Sequence, residues 1–353
     1  MEKNIAAIIY NDLREVSAKI LIELGMLPEP HKPKVRTTKW KHGSPKGILY
    51  HYTNGPSGLK SMRWGNDPTW GNTGSSWHVM IFDRIPSNEV GTLWVKYASA
   101  GLRRLFPVPT IITADFRWGT WHGNWTCNMT LGIENRNTGY SGWQKVDKQN
   151  GIEKLGKTPF VLYDKKWEPY TREQIISNIN IGRLLRGMIG TLDPNWILTH
   201  QCVWATKLDT GPAFPIHQIR NEIFNDDDLS KREWLQLFEM APDVNEDDDA
   251  HWKALGEDQF EKEKDFVVWS DPKPNVEPVA SDVLVAGQLW RMGFNAGPEL
   301  PDHDTLTNFV RWLQRSTGAY KEKNPEKVLK PDGLVGKLTK AFLDKRIKQL
   351  GLD

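Results

Sequence analysis

Apolar residues near the start of the chain recur at helical spacing: Ile5, Ile8, Ile9, Leu13, Val16, Ile20, Leu21 and Leu24. Positions three and four apart share one face of a helix, so this pattern predicts an amphipathic helix, stopped by Gly25, Pro28 and Pro30. With the Pro/Lys-rich connector that follows, it makes up residues 1–46. Docking on the main domain is the expected use of its apolar stripe, with a membrane or a partner as the alternatives. From Gly47 the period changes. Short apolar segments at 48–52, 77–82, 91–97, 110–114 and 129–134, bounded by Gly, Asn and Pro, read as strands. Thr171 and Gln174 have capping-box spacing ahead of Ile175, Ile176, Ile179, Leu184, Leu185, Met188 and Ile189, which predicts a helix. Asp193, Pro194 and Asn195 break it, and 196–203 is expected to resume as a strand. Strands alternating with crossover helices imply an α/β domain over residues 47–220, with a mixed central sheet and flanking helices. Helical periodicity returns from Ser281 to the end of the chain, long enough for a small bundle.

Charge divides the chain again. The net charge of +2 hides a segment, residues 221–265, with 16 acidic and 5 basic residues, leaving 41 basic and 28 acidic elsewhere. The basic remainder suits an anionic polymer as partner. The acidic stretch has no EF-hand spacing and reads as a solvated connector, residues 221–280, ending near Asp271, Pro272, Lys273 and Pro274. Of 17 tryptophans, eight fall between Trp64 and Trp143. Their faces can stack on sugars or bases, or fill an aromatic core. No apolar run approaches the roughly 18–20 residues a spanning helix needs. Glu2, Asp12 and Glu15 interrupt the place where a signal peptide would have its apolar core, so synthesis in a cytoplasm is expected. Cys127 and Cys202 are too few for a disulfide framework.

The histidines carry the first chemical signal. His51 ends the apolar segment Gly47, Ile48, Leu49, Tyr50, and His200 follows Trp196, Ile197, Leu198, Thr199. Adjacent strands ending this way can hold two imidazoles over one edge of a sheet. Hydrolytic zinc needs three protein ligands and one open position, and Asp209, nine residues after His200, is the third candidate.

Four blocks, in order, resemble the zinc-dependent N-acetylmuramoyl-L-alanine amidases common among phage endolysins, which are related in fold to peptidoglycan recognition proteins. They are His51-Tyr52-Thr53; Ser76-Trp77-His78; Thr120-Trp121-His122-Gly123 with Leu131-Gly132-Ile133-Glu134-Asn135; and His200 through Lys207, Asp209, Gly211 and Pro212 to Phe214. The resemblance assigns Zn2+ to His51, His200 and Asp209, the general base to Glu134 and oxyanion stabilisation to Lys207. It makes His122, Trp121 and Trp77 substrate-contacting residues. Trp77 stands where some members have a catalytic Tyr and has no O–H to donate, which leaves the base role to Glu134 alone. The stretch from Asp83 to Trp118 is longer than the family's usual turn and lacks its Asp-Gly step.

Residues 281–353 resemble the three-helix peptidoglycan-binding domain of wall hydrolases, through Leu289, Met292, Gly293, Phe294, then Phe309, Leu313, Gln314, Gly318, then Asp332, Gly333, Leu334 and Thr339. The family's first-helix Gln is absent, and residues 320–330 form an insertion. The implied activity is a phage lytic enzyme, made in the host cytoplasm and acting at the cell wall, that hydrolyses the amide between N-acetylmuramic acid and L-alanine in peptidoglycan. The alternatives are a non-catalytic wall-binding protein on the same fold and a virion-associated wall-penetrating amidase. A nucleic-acid binder built on Trp stacking has no recognisable motif here and leaves the His/Asp set unexplained.

Overall fold

The computed structural model describes residues 3–26, 38–40, 45–55, 57–66, 76–86, 88–123, 126–127, 129–139, 160–162, 165–204, 207–225, 281–295, 303–316 and 337–350. The acidic connector beyond residue 225, the 320–330 insertion and the Asp332 motif lie outside them. Its centre is a five-stranded sheet built from β2 (Gly47–Tyr52), β3 (Val79–Ile81), β4 (Thr110–Ile112), β6 (Thr130–Asn135) and β9 (Ile197–Thr199), in the order β4-β3-β6-β2-β9. β4 runs antiparallel at one edge; the other pairings are parallel. Two small ribbons stand apart: β1 (Thr38–Lys39) with β5 (Trp118–Gly119), and β7 (Phe160–Leu162) with β8 (Lys165–Trp167).

Alternation along the strands gives the sheet two different faces. Ile48, Tyr50, Leu131, Ile133 and Ile197 join one core with α1 (Lys3–Glu23), α5 (Arg172–Ile189) and α7 (Ile216–Phe224). α1 buries Ile5, Ile9, Leu13, Val16, Ile20 and Leu21 there, so its stripe docks on the domain. Its Ser17 accepts a hydrogen bond from the Ile112 amide at 2.9 Å, which closes the outer edge of β4. α2 (Gly58–Asn66), α3 (Glu89–Tyr97) and α4 (Ala100–Leu105) complete the flanks. On the opposite face Leu49 and Leu198 join a second core with α8 (Ser281–Arg291), α9 (His303–Ser316) and α10 (Lys337–Leu350).

α5 starts where its cap predicts. Thr171 accepts from the Gln174 amide at 3.2 Å, but Gln174 donates to the Arg136 carbonyl instead of returning to Thr171, so only half of the capping box forms. Two expected strands differ. Residues 91–97 belong to α3, because Asn88 caps Val90 and Gly91 and the buried Val90, Leu93 and Trp94 follow a helical period that a short apolar run conceals. Residues 196–203 divide into β9 and the single turn α6 (His200–Val203), because the Gln201 amide turns away to the Asp209 carbonyl. Cys202 is buried and donates to the Met292 carbonyl.

Candidate active site

β2 and β9 are neighbours, with Tyr50 opposite Thr199, so the next residue on each, His51 and His200, emerges at the same sheet edge. β6 lies on the other side of β2, with Glu134 opposite His51 and Gly132 opposite Leu49. Period two puts Leu49, His51, Gly132 and Glu134 on one face. The turn after His200 brings Asp209 back. His51 Nδ1 lies 2.9 Å from His200 Nδ1, His200 Nδ1 lies 2.8 Å from Asp209 Oδ2, and His51 Nδ1 lies 3.3 Å from the same oxygen. All three residues are buried.

Hydrogen bonds behind His51 decide which nitrogen faces this cluster. The Thr130 carbonyl can only accept, so His122 Nε2, 3.0 Å away, carries the proton. Burial, with His51 and His78 adding to it, holds the His122 pKa well below 6.5, so the ring is neutral and its Nδ1 is an acceptor. That Nδ1 lies 3.1 Å from His51 Nε2, which therefore donates. His51 itself is pushed down to about 4 by burial and by His200, against the pull of Asp209, so its Nδ1 presents a bare lone pair to His200 and Asp209. Gly132 makes this relay possible: a Cβ there would stand 2.6 Å from His122 Cγ.

The His51 lone pair beside the Asp209 carboxylate suits a shared cation. The ligands of a tetrahedral zinc with bonds of about 2.0–2.1 Å stand roughly 3.3 Å apart, the separation of His51 from Asp209, with His200 closer to both, and two imidazoles with one carboxylate are a common zinc donor set. The residues fit the ion. Asp209 is ready for it: burial alone would raise its pKa, but the neighbouring His200, and after it His51, outweigh that, so the net direction is down and the carboxylate is ionised. Among the described residues this is the one cluster of three such ligands.

Glu134 is buried, and burial first, then the Asp209 carboxylate, pushes its pKa well above 4.5, while the Lys207 charge lowers it. Lys207 is solvent-exposed, with its ammonium 5.9 Å from the centre of the Trp204 ring. Of the expected substrate contacts, Trp121 is 42% exposed, whereas His122 has both ring nitrogens engaged inside the protein. Trp77 is 3% exposed and lies beneath α2 against Gly65, with the 47% exposed Trp64 stacked on it. Among the described residues, the exposed tryptophans beside these blocks are therefore Trp64 and Trp121. His78 is also internal, donating to the Trp118 carbonyl and accepting from the Gly132 amide.

Sequence reasoning missed the polar seam beneath the site. Arg220 of α7 donates to the carbonyls of Ile197 and Gly293, both at 2.6 Å, and His217 donates to the Trp290 carbonyl while stacking on that indole. The available signal was His217 and Arg220 three apart on the apolar face of α7, since a charge there needs buried acceptors.

No family model and no curated protein matches the chain. Solved structures similar to it include AmpDH3 from Pseudomonas aeruginosa, at 17% identity over 86% of this chain and 92% of that one, with a TM-score of 0.36. AmpDH3 is also known in complex with an anhydromuramic pentapeptide. Another is the N-acetylmuramyl-L-alanine amidase AmiD from E. coli in complex with anhydro-N-acetylmuramic acid-L-Ala-D-gamma-Glu-L-Lys, at 14% identity over 88% and 91%, with a TM-score of 0.38.

Proposed function

We propose that the chain is a zinc-dependent N-acetylmuramoyl-L-alanine amidase acting on bacterial peptidoglycan. The observation that carries the reading is the convergence of His51 Nδ1, His200 Nδ1 and Asp209 Oδ2 beside Glu134 on a neighbouring strand. Zinc held by these three supplies Lewis-acid polarisation of the amide carbonyl and a lowered pKa for the attacking water. Glu134 takes the proton of that water and returns it to the departing amine of L-alanine. Burial favours its protonated form; the Lys207 ammonium, and a dication among the three ligands, shift it back towards the carboxylate a base requires. Lys207 stabilises the negative charge that develops on the carbonyl oxygen. Trp121 offers an exposed ring face to the glycan.

The phage lytic type, with synthesis in the host cytoplasm and action at the wall, rests on the four sequence blocks, and a wall-binding role for residues 281–353 rests on their separate resemblance to the three-helix peptidoglycan-binding domain. Mass spectrometry of digested sacculi tests the activity: stem peptides with a free L-alanine amine, and glycan bearing free lactyl carboxylates, are the expected products. Unchanged wall, with zinc bound and the protein folded, would favour the non-catalytic wall-binding alternative.

A further inference from the structure

We infer that the C-terminal helices are positioning elements of the metal centre, with Arg346 and the Met292–Gly293 turn holding the 200–209 segment in ligating geometry. That segment carries two of the three proposed ligands at its ends and is poorly able to hold itself. α6 has four residues, too few for a helix to persist alone. Its internal bonds, Gln201 amide to Asp209 carbonyl, Trp204 amide to His200 carbonyl and Lys207 amide to Trp204 carbonyl, close a loop but do not anchor it to the sheet.

Tyr170 donates to the Thr210 carbonyl at 3.0 Å beside Asp209, and the anchors on the rest of the segment come from the C-terminal helices. The Met292 carbonyl accepts from Gln201 Nε2 at 2.9 Å, Cys202 Sγ at 3.2 Å and Thr199 Oγ1 at 3.4 Å, three donors that bracket His200 in sequence. Gly293 makes that turn with φ at +101°, where a Cβ would stand 3.0 Å from Thr199 Oγ1. From α10, the 2% exposed Arg346 donates to the Lys207 carbonyl and, at 3.5 Å, to the Trp204 carbonyl. The apolar seam around them, with Leu198, Val203 and Leu208 against Leu289, Phe309 and Ile347, supplies adhesion without direction. Hydrogen bonds to carbonyls are directional, so they set where His200, Lys207 and Asp209 stand. A module appended only for wall binding would not need its buried polar groups spent on this loop.

The inference rests on the zinc reading, and the test separates the two. The full-length protein is loaded with zinc and the ion's transfer to an excess of chromophoric chelator is timed, beside thermal melting of each variant. Arg346→Met should release zinc roughly 10- to 100-fold faster than wild type while staying folded, Arg346→Lys should recover part of the loss, and Lys340→Ala, on the exposed side of α10, should behave as wild type. If Arg346→Met does not fold, Gln201→Met, which removes a donor to Met292 at nearly constant volume, decides the matter by the same clock. A folded variant of the pair that holds zinc as long as wild type overturns the inference while leaving the metal reading intact. A wild-type protein that takes up no zinc overturns both.

Discussion

The two faces of the central sheet are closed in different ways. On one, α1 and α5 cover Ile48, Tyr50, Leu131, Ile133 and Ile197 mainly with apolar side chains, and the polar contacts there include Ser17 accepting at a strand edge and Asn178 donating to Asn135 Oδ1 at 2.7 Å. On the other, Leu49 and Leu198 are covered by the C-terminal helices, but around them sit His51, Glu134, His200 and Asp209, and the seam is stitched by Gln201, Arg220 and Arg346 donating to carbonyls. The apolar face tolerates small shifts, because burial has no preferred direction. The polar face does not, because each ligand and donor has one productive position. Changes on the two faces should accordingly separate stability from chemistry.

The largest effect is expected from the ligands. His51→Ala or His200→Ala should abolish zinc retention and hydrolysis together, since two remaining ligands hold the ion poorly. Elemental analysis with wild-type zinc content in either variant would remove the residue from the metal site. Next, Glu134→Gln should keep zinc and fold and lose about 10²- to 10⁴-fold in kcat, because the amide fills the same space but accepts no proton. Turnover near normal, with zinc bound, would move the base elsewhere.

The same contrast explains what could be read from the sequence. β2, β6 and the start of α5 were legible because their signals are local: an apolar run ended by His51, the Gly132 to Asn135 stretch, the Thr171 cap. His51, Asp209 and His200 were legible as types at a spacing, though not the tautomer relay through His122, which depends on Thr130 and Gly132 of a strand about 80 residues away. α3 was misread because three adjacent apolar residues satisfy both periods, and the deciding signal was its Asn88 cap. The docking of the C-terminal helices was not legible at all. It depends on backbone carbonyls, which every residue carries, so no residue type at 292 or 207 announces it.

A smaller effect should follow acidification, concentrated where α7 meets α8 and around His78. Burial and Arg220 hold His217 well below 6.5, and burial holds His78 at about 4. The sign follows from the proton count. Between pH 6.5 and the folded values the unfolded chain binds protons that the folded chain does not, so the stability they contribute is complete above pH 6.5 and is lost as pH falls. At pH 5 the loss is about 2 kcal/mol for His78, His217 adds to it in the same direction, and Glu134, whose raised pKa works in the opposite sense, offsets part of it. A protonated His217 would also turn an N–H towards Arg220 and weaken the seam to Trp290. Hydrogen exchange of the zinc-free protein at pH 7 and pH 5 should show α8 losing protection before α1; loss in the reverse order would place the weaker closure on the apolar face.

The smallest effect belongs to that apolar face. Ser17→Ala leaves the Ile112 amide, on the outer side of an edge strand and covered by α1, without its acceptor. A buried donor left unpaired costs about 1–3 kcal/mol, and the hydroxyl's own bond to the Leu13 carbonyl at 2.7 Å adds little, because that carbonyl is already within a helix. The urea midpoint should fall by the corresponding amount with an unchanged slope, since the surface exposed on unfolding is the same. Zinc release and turnover of the folded fraction should match wild type, because β4 is separated from β2 and its ligand by both β3 and β6. A Ser17→Ala protein that released zinc as fast as Arg346→Met would show that the two faces are mechanically coupled through the sheet.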